Sequence, residues 1–282
     1  MSLKLMYITN NPDVALIAQK YGVDRVWIDL ETLGKAERQP GDSVKSDHTI
    51  DDIRKIAPLL KTSEMLVRVN PINPRSKNEI ENVIAAGAQN IMLPMWKTPE
   101  EVKEFLNIIN GRTKNILLLE TKEAEECLDD VLKINGIDEI HIGLNDLHLS
   151  YGHTFMFEEL ANGRVDSIIN KIKPTGIPYG FGGVARIGEG MLPAERIILE
   201  HYHLGSTGVI LSRAFCNTNL ITDINEIDET FKVNVKNLRD FEYNVASKAT
   251  EKEFEENHKE VIKCVDEIVK RIEAKRNGTY NK

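Results

Sequence analysis

The chain has 282 residues, with 36 Lys and Arg against 44 Asp and Glu, a formal net charge of −8, and 41% hydrophobic residues. That length suits two modest domains or one large one, and a single α/β barrel of about 250 residues fits equally well. The acidic balance excludes a general nucleic-acid binder and a polybasic membrane surface, because both need a positive field.

In chain order, short β-branched apolar runs alternate with segments of 3.6-residue periodicity. The predicted strands are Lys4 to Ile8, Arg25 to Glu31, Met65 to Asn70, Asn90 to Pro94, Asn115 to Glu120, Glu139 to Leu144, Tyr179 to Gly183 and Gly208 to Ser212. Helix starts are signalled between them by Asn11-Pro12, by Asp47 to Asp51, by Thr98-Pro99-Glu100-Glu101 and by Thr121. Gly22, Gly87, Gly111 and Gly136 mark helix ends. Sequential βα units with short loops form parallel sheet, either open and doubly wound or closed. Eight units favour closure, and Ile8 is followed by Thr-Asn-Asn-Pro rather than by the glycine-rich turn of a dinucleotide-binding sheet. The expected fold is a single (β/α)8 TIM barrel over 1–282, with additional C-terminal helices over 220–275. These helices are Leu220 to Ala246 and Glu251 to Lys275. The second carries an apolar stripe of Phe254, Val261, Ile262, Val265, Ile268, Val269 and Ile272, which packs either on its own barrel or on a neighbouring subunit.

Cys127, Cys216 and Cys264 lie far apart, so neither a disulfide framework nor a structural zinc site is readable. No apolar run approaches the ~18 residues of a membrane span, and MSLKLMYITN lacks a signal-peptide core. The expectation is a cytoplasmic protein with a small-molecule partner, no nucleic acid and no membrane.

In such a barrel the chemistry sits at the C-terminal ends of the strands. The residues there are Asp29 and Glu31, Arg68 and Asn70, Pro94 and Trp96, Glu120, Asn145 and Asp146, Gly182 and Gly183, and Ser212 and Arg213. Glu120 and Asp146 end adjacent strands at one rim, where desolvation penalises an uncompensated carboxylate. The compensating cation is either a hard divalent ion such as Mg²⁺ or the guanidinium of Arg68.

The segments Val26-Trp27-Ile28-Asp29-Leu30-Glu31, Val67-Arg68-Val69-Asn70, Gly87 to Met95, Leu119-Glu120-Thr121 and Gly143-Leu144-Asn145-Asp146-Leu147, with Gly152 beyond, resemble the HpcH/HpaI aldolase and citrate lyase family. The resemblance runs from about residue 20 to about 215, in the same order and on the predicted strand ends. It implies a metal-dependent lyase acting on a 2-oxo acid or an acyl thioester, with Mg²⁺ or Mn²⁺ held by Glu120 and Asp146. By the same resemblance Arg68 meets the substrate carboxylate and carbonyl, Asn145 and Asp146 line the substrate, and Glu31 orders the metal-bound water and the arginine. A homo-oligomer is also implied.

Departures are equally specific. Where the family's aldolases carry a histidine after the strand-two acid, this chain has Thr32. The following stretch, Leu33 to Asp47, is long and polar, with Lys35, Glu37, Arg38 and Lys45 ahead of His48, which is either a second source of a base or a capping neighbour of Asp51-Asp52. The glycine- and arginine-rich loop before strand five is missing, since Asn110-Gly111-Arg112-Thr113 leads directly into the strand, as in the citrate lyase branch. No basic cluster resembles a coenzyme A phosphate site. The reading therefore leaves four outcomes: an aldolase on a pyruvate or oxaloacetate enolate, an acyl thioester lyase, a binding barrel without a base, or a phosphoryl-transfer enzyme on an enolpyruvate substrate, for which a clear phosphate clamp is missing. The Tyr179-Gly-Phe-Gly-Gly183 run reads as a phosphate cradle or a bulge, and Arg186 and Arg213 as anion contacts or surface residues. His148 and His153 fall in the loop after Asp146. His141 and the His201-x-His203 pair read as structural, and His258 as a boundary residue.

Overall fold

The computed structural model describes residues 2–34 and 47–278. Lys35, Glu37, Arg38 and Lys45 of the long polar stretch lie outside the described residues. Eight parallel strands close in sequence order: β1 (Lys4–Ile8), β2 (Arg25–Asp29), β3 (Glu64–Arg68), β4 (Asn90–Leu93), β5 (Lys114–Leu119), β6 (Glu139–Ile142), β7 (Tyr179–Val184) and β8 (Gly208–Leu211), with β8 returning to β1. Around them run α1 (Pro12–Lys20), α2 (Ile50–Ile56), α3 (Ser76–Ala86), α4 (Pro99–Ile109), α5 (Lys122–Glu126), α6 (Leu128–Val131), α7 (Leu144–Ser150), α8 (Glu158–Ala161), α9 (Arg164–Ile172) and α10 (Ala194–Leu204). Two further helices, α11 (Ile224–Asn244) and α12 (Glu251–Arg276), follow β8.

Local signals explain these boundaries. The Asn11 side chain accepts the Asp13 and Val14 N–H groups while Pro12 occupies the first turn of α1. Thr98 and Glu101 form a reciprocal capping box at α4. The C-cap of α3 is Gly87, at φ +111°, a conformation that a β-carbon strongly disfavours.

The strand alternation sorts the barrel interior into levels. Met6, Trp27, Leu66, Met92, Ile116 and Leu118 form a buried cluster of their own inside the ring. Because side chains on one face of a strand recur every second residue, Asp29, Arg68 and Glu120 follow two positions later at the C-terminal mouth. Arg25, Glu64 and Asn90 lie two positions earlier, at the opposite end. There the Arg25 guanidinium donates to both Glu139 oxygens at 2.8 and 2.7 Å and to Glu64 at 3.2 Å. Lys114 reaches the second Glu64 oxygen at 2.8 Å.

Two sequence expectations change in detail and two open alternatives narrow. The Tyr179–Gly183 run is strand, as expected, and continues through Val184; of its two readings it takes the bulge, its register with β8 shifting between Gly180 and Gly183. A β-carbon on Gly180 would lie 2.4 Å from the Gly208 carbonyl oxygen, so the glycine serves strand packing. Strand six stops at Ile142, and α7 begins at Leu144, which puts Asn145 and Asp146 in a helical first turn and His148 in the helix, not in a loop. Helix α11 begins at Ile224 rather than Leu220, because Asp223 accepts the Asn225 N–H at 2.8 Å and caps it there. Lastly, α12 takes its own barrel of the two surfaces open to it: Val261, Val265 and Ile268 are buried, and Asn257 and His258 bond to Glu200 of α10.

Candidate active site at the barrel mouth

Arg68, the last residue of β3, is paired in register with Asp29, the last residue of β2. Its Nε and Nη2 donate to the two Asp29 oxygens at 2.9 Å each, and Nη2 lies 3.3 Å from Glu31 Oε2. The guanidinium carbon stands 5.1 Å from the Trp27 ring centroid, so an aromatic face supports the plane from one side. Burial opposes a charge here, but Asp29 and Glu31 outweigh it and hold the Arg68 pKa above its ordinary value. Among the described residues no partner occupies Nη1. The result is a rigid, permanently charged fork with one donor edge uncommitted.

Glu120 follows β5 and is 2% exposed. Its Oε1 accepts the Met95 N–H at 3.1 Å, and Met95 adopts φ +54° to deliver it. Space for the carboxylate is made by Gly143, where a β-carbon would come within 2.8 Å of Glu120 Oε2. Asp146 is likewise buried, in the first turn of α7. Burial, then the Asp146 charge, push the Glu120 carboxyl well above the usual carboxylate range, with Glu31 adding to the effect and Arg68 opposing it.

Two carboxylates that destabilise each other in a buried site fit a divalent cation, whose charge turns that repulsion into attraction. An all-oxygen donor set suits a hard ion. Among the described residues no group of three or more His, Cys, Asp or Glu side chains converges as a metal cage. A hard ion such as Mg²⁺ can be held by one or two carboxylates, with water and substrate oxygens at its remaining positions.

The other predicted residues sort clearly. Asn145 is exposed on the first turn of α7, beside Asp146. Thr32 is tied to Asn70, whose Oδ1 accepts the Thr32 and Leu33 N–H groups at 2.9 and 3.0 Å. His48 comes to the mouth: its Nδ1 accepts the Asp29 N–H at 3.0 Å, so the neutral ring carries its proton on Nε2. His148 is buried with Nδ1 against the Leu144 carbonyl, and His153 is bonded to Glu159. His141 lies inside the barrel wall on the Gly182 carbonyl, and burial pushes its pKa down to about 4. His201 stacks on Phe181 at 3.8 Å, as a structural ring does. Arg186 donates to the Phe215 carbonyl at 2.7 Å, and Trp96 is core, 1% exposed.

Sequence reasoning gave no role to Trp27, Met95 or Gly143. Of these only Gly143 carried a signal, a glycine between a strand and an acidic helix start.

The comparisons with known proteins agree with the fold. The family model for HpcH/HpaI aldolase/citrate lyase matches residues 4–182. No curated protein matches the sequence significantly. Solved structures share the fold: an HpcH/HpaI aldolase from Desulfitobacterium hafniense DCB-2 superposes with TM-score 0.61 at 15% identity, over 81% of this chain and 93% of that one. The citrate synthase SbnG gives 0.60 at 17% identity, over 81% and 94%. Protein CitE from Mycobacterium tuberculosis, in complex with magnesium and acetate, gives 0.57 at 12% identity, over 86% and 97%. With more than half of its residues under one family model, the chain belongs to the HpcH/HpaI aldolase/citrate lyase family of lyase- and aldolase-type enzymes.

Proposed function

We propose that the protein makes or breaks a carbon–carbon bond beside the carbonyl of a 2-oxo acid, through the enolate of pyruvate or oxaloacetate, with Mg²⁺ or Mn²⁺ held by Glu120 and Asp146. The observation that carries this reading is the pairing at one mouth of a buried two-carboxylate site with an arginine whose Nη1 edge is uncommitted. Breaking such a bond leaves an electron pair on the enolate oxygen, and a catalyst must stabilise that oxyanion more than it stabilises the ketone. The bound divalent cation supplies Lewis-acid stabilisation of that charge.

The chain's own residues supply the rest. Arg68 Nη1 donates to the substrate carbonyl and carboxylate, and its hydrogen bond strengthens as the carbonyl oxygen becomes an oxyanion. Asp29 and Glu31 fix the guanidinium plane beforehand, so no reorganisation is needed as charge develops. Asn145 and Asp146, on the first turn of α7, line the substrate on the opposite side. Thr32 stands where the family's aldolases carry a histidine, and its hydroxyl donates to Asn70 at 3.3 Å, so it serves the loop rather than proton transfer.

A thioester substrate is the second reading, supported by the short Asn110–Thr113 connection into β5. Deuterium exchange into the pyruvate methyl group, followed by NMR with and without Mg²⁺ or Mn²⁺, separates the two. Metal-dependent exchange that is lost in Glu120→Gln and Asp146→Asn supports the enolate reading. Metal binding without exchange contradicts it and moves the weight to coenzyme A esters or to a binding role.

A further inference from the structure

The segments that carry Glu120 and Asp146 are joined to each other away from the mouth. Glu120 leads through Thr121 into α5, and Asp146 lies in α7. These helices have five and seven residues, too few to hold a position without tertiary support. The first tie is from backbone to side chain, the Lys122 N–H donating to Ser150 Oγ at 2.8 Å. The second is the Tyr151 hydroxyl, just past α7, donating to Glu125 Oε2 on α5 at 2.9 Å.

Arg164, at the start of α9, completes the tie. Its Nη1 lies 3.2 and 3.0 Å from the two Glu125 oxygens, and its guanidinium carbon sits 3.5 Å from the Tyr151 ring centroid. Its Nε is 2.7 Å from Glu159 Oε2, and the fully buried Glu159 takes His153 on its other oxygen. A charged cluster of this kind adds little net stability over apolar packing, but it fixes geometry, because the buried Glu159 is left uncompensated if its partners move.

We propose that the Tyr151–Glu125–Arg164 clamp sets the spacing of Glu120 and Asp146 and thereby the affinity of the site for its divalent cation. The proposal rests on the metal reading above. The Asp146 charge disfavours the Glu120 carboxylate, so in the metal-free protein an outward shift of α5 or α7 relieves that cost, and such a shift would spoil the spacing a hard ion demands. The clamp opposes it from the far side of the same two helices. Tyr151, Glu125 and Arg164 are positioning residues, acting through the backbone and not on substrate.

The test is a Mn²⁺ titration of the full-length protein by electron paramagnetic resonance, with thermal melting of the metal-free protein alongside. Tyr151→Phe deletes one hydroxyl and Glu125→Gln one charge, and neither changes side-chain volume much. The expected result is about tenfold weaker Mn²⁺ binding in Glu125→Gln, as for loss of a residue that supports metal ligands, and a smaller loss in Tyr151→Phe. The double variant should fall short of the sum, since both changes break one bond. Glu81→Gln, which breaks the remote Arg112–Glu81 pair by the same chemical change, should bind as wild type. Unchanged affinity in Glu125→Gln and Tyr151→Phe, whatever their melting temperatures, overturns the proposal and leaves a purely structural network. Failure of the metal reading shows separately: wild type then binds no Mn²⁺, or Glu120→Gln binds it undiminished, and the clamp falls with it.

Discussion

The two ends of the barrel interior carry the same kinds of residue and use them in opposite ways. At the N-terminal end Arg25 spends both faces of its guanidinium on Glu139 and Glu64, and Lys114 takes the remaining Glu64 oxygen. Burial works against the Glu64 charge, yet its partners prevail and hold its pKa down at about 2. At the C-terminal end Arg68 is forked by Asp29 but keeps Nη1 uncommitted among the described residues, while Glu120 receives one backbone N–H and feels the Asp146 charge. Its pKa is driven up, not down. The far end closes its ion pairs on itself, whereas the mouth keeps one guanidinium edge uncommitted among the described residues, beside a carboxyl whose charge is disfavoured.

The contrast can be broken from either end. The largest effect is expected for Glu120→Gln or Asp146→Asn, each weakening Mn²⁺ binding by more than about 100-fold in calorimetry, beyond the loss from a residue that only supports the ligands. Next is Arg68→Lys, which keeps the charge but loses the fork and its free edge. It should slow pyruvate exchange by about 10²–10³-fold, the cost of one oxyanion donor, with Mn²⁺ affinity within a few fold of wild type. At the other end Arg25→Met leaves Glu139 buried without its partner and should cost about 3–5 kcal/mol in urea unfolding. Mn²⁺ affinity of the folded fraction should be unchanged. Parallel loss of stability and metal affinity in Arg25→Met would show the two ends to be one coupled system.

The mildest expectation is a graded loss of stability in acid, read as the urea midpoint against pH. His141 has its pKa lowered from 6.5 to about 4 by burial, so the unfolded chain takes up that proton first and stability falls as the pH drops through this range. Glu64 is depressed from 4.5 to about 2, so its contribution is present above 4.5 and is lost as pH falls toward 2. Glu64→Gln should flatten the lower part of the curve and leave the upper part intact.

Much of this was legible in the sequence because apolar runs end abruptly at charged residues: Ile-Leu-Leu-Leu stops at Glu120, and Val67 is followed by Arg68. Glu31, two residues beyond Asp29, reaches the same guanidinium at 3.3 Å. Asp29 was visible as a strand-end acid, but its bidentate hold on Arg68 depends on β2–β3 register, which periodicity does not report. Met95 donates to Glu120 only because its backbone turns to φ +54°, and nothing in its side chain announces that. The β7 glycines left a phosphate cradle and a bulge as open readings because glycine marks close approach to a ligand and close strand packing alike. His148 was misplaced for a similar reason, since one residue, Gly143, suffices between β6 and α7.

The central claim is that the cation belongs to the mouth and not to the far end, where Arg25 and Lys114 already match Glu64 and Glu139. Crystals grown with Mn²⁺ and pyruvate, with an anomalous difference map at the manganese edge, test it most directly. The predicted result is a peak between the Glu120 and Asp146 carboxylates with Arg68 turned toward the bound oxo acid. A map with no peak there, or with manganese at Glu64 and Glu139, would contradict it.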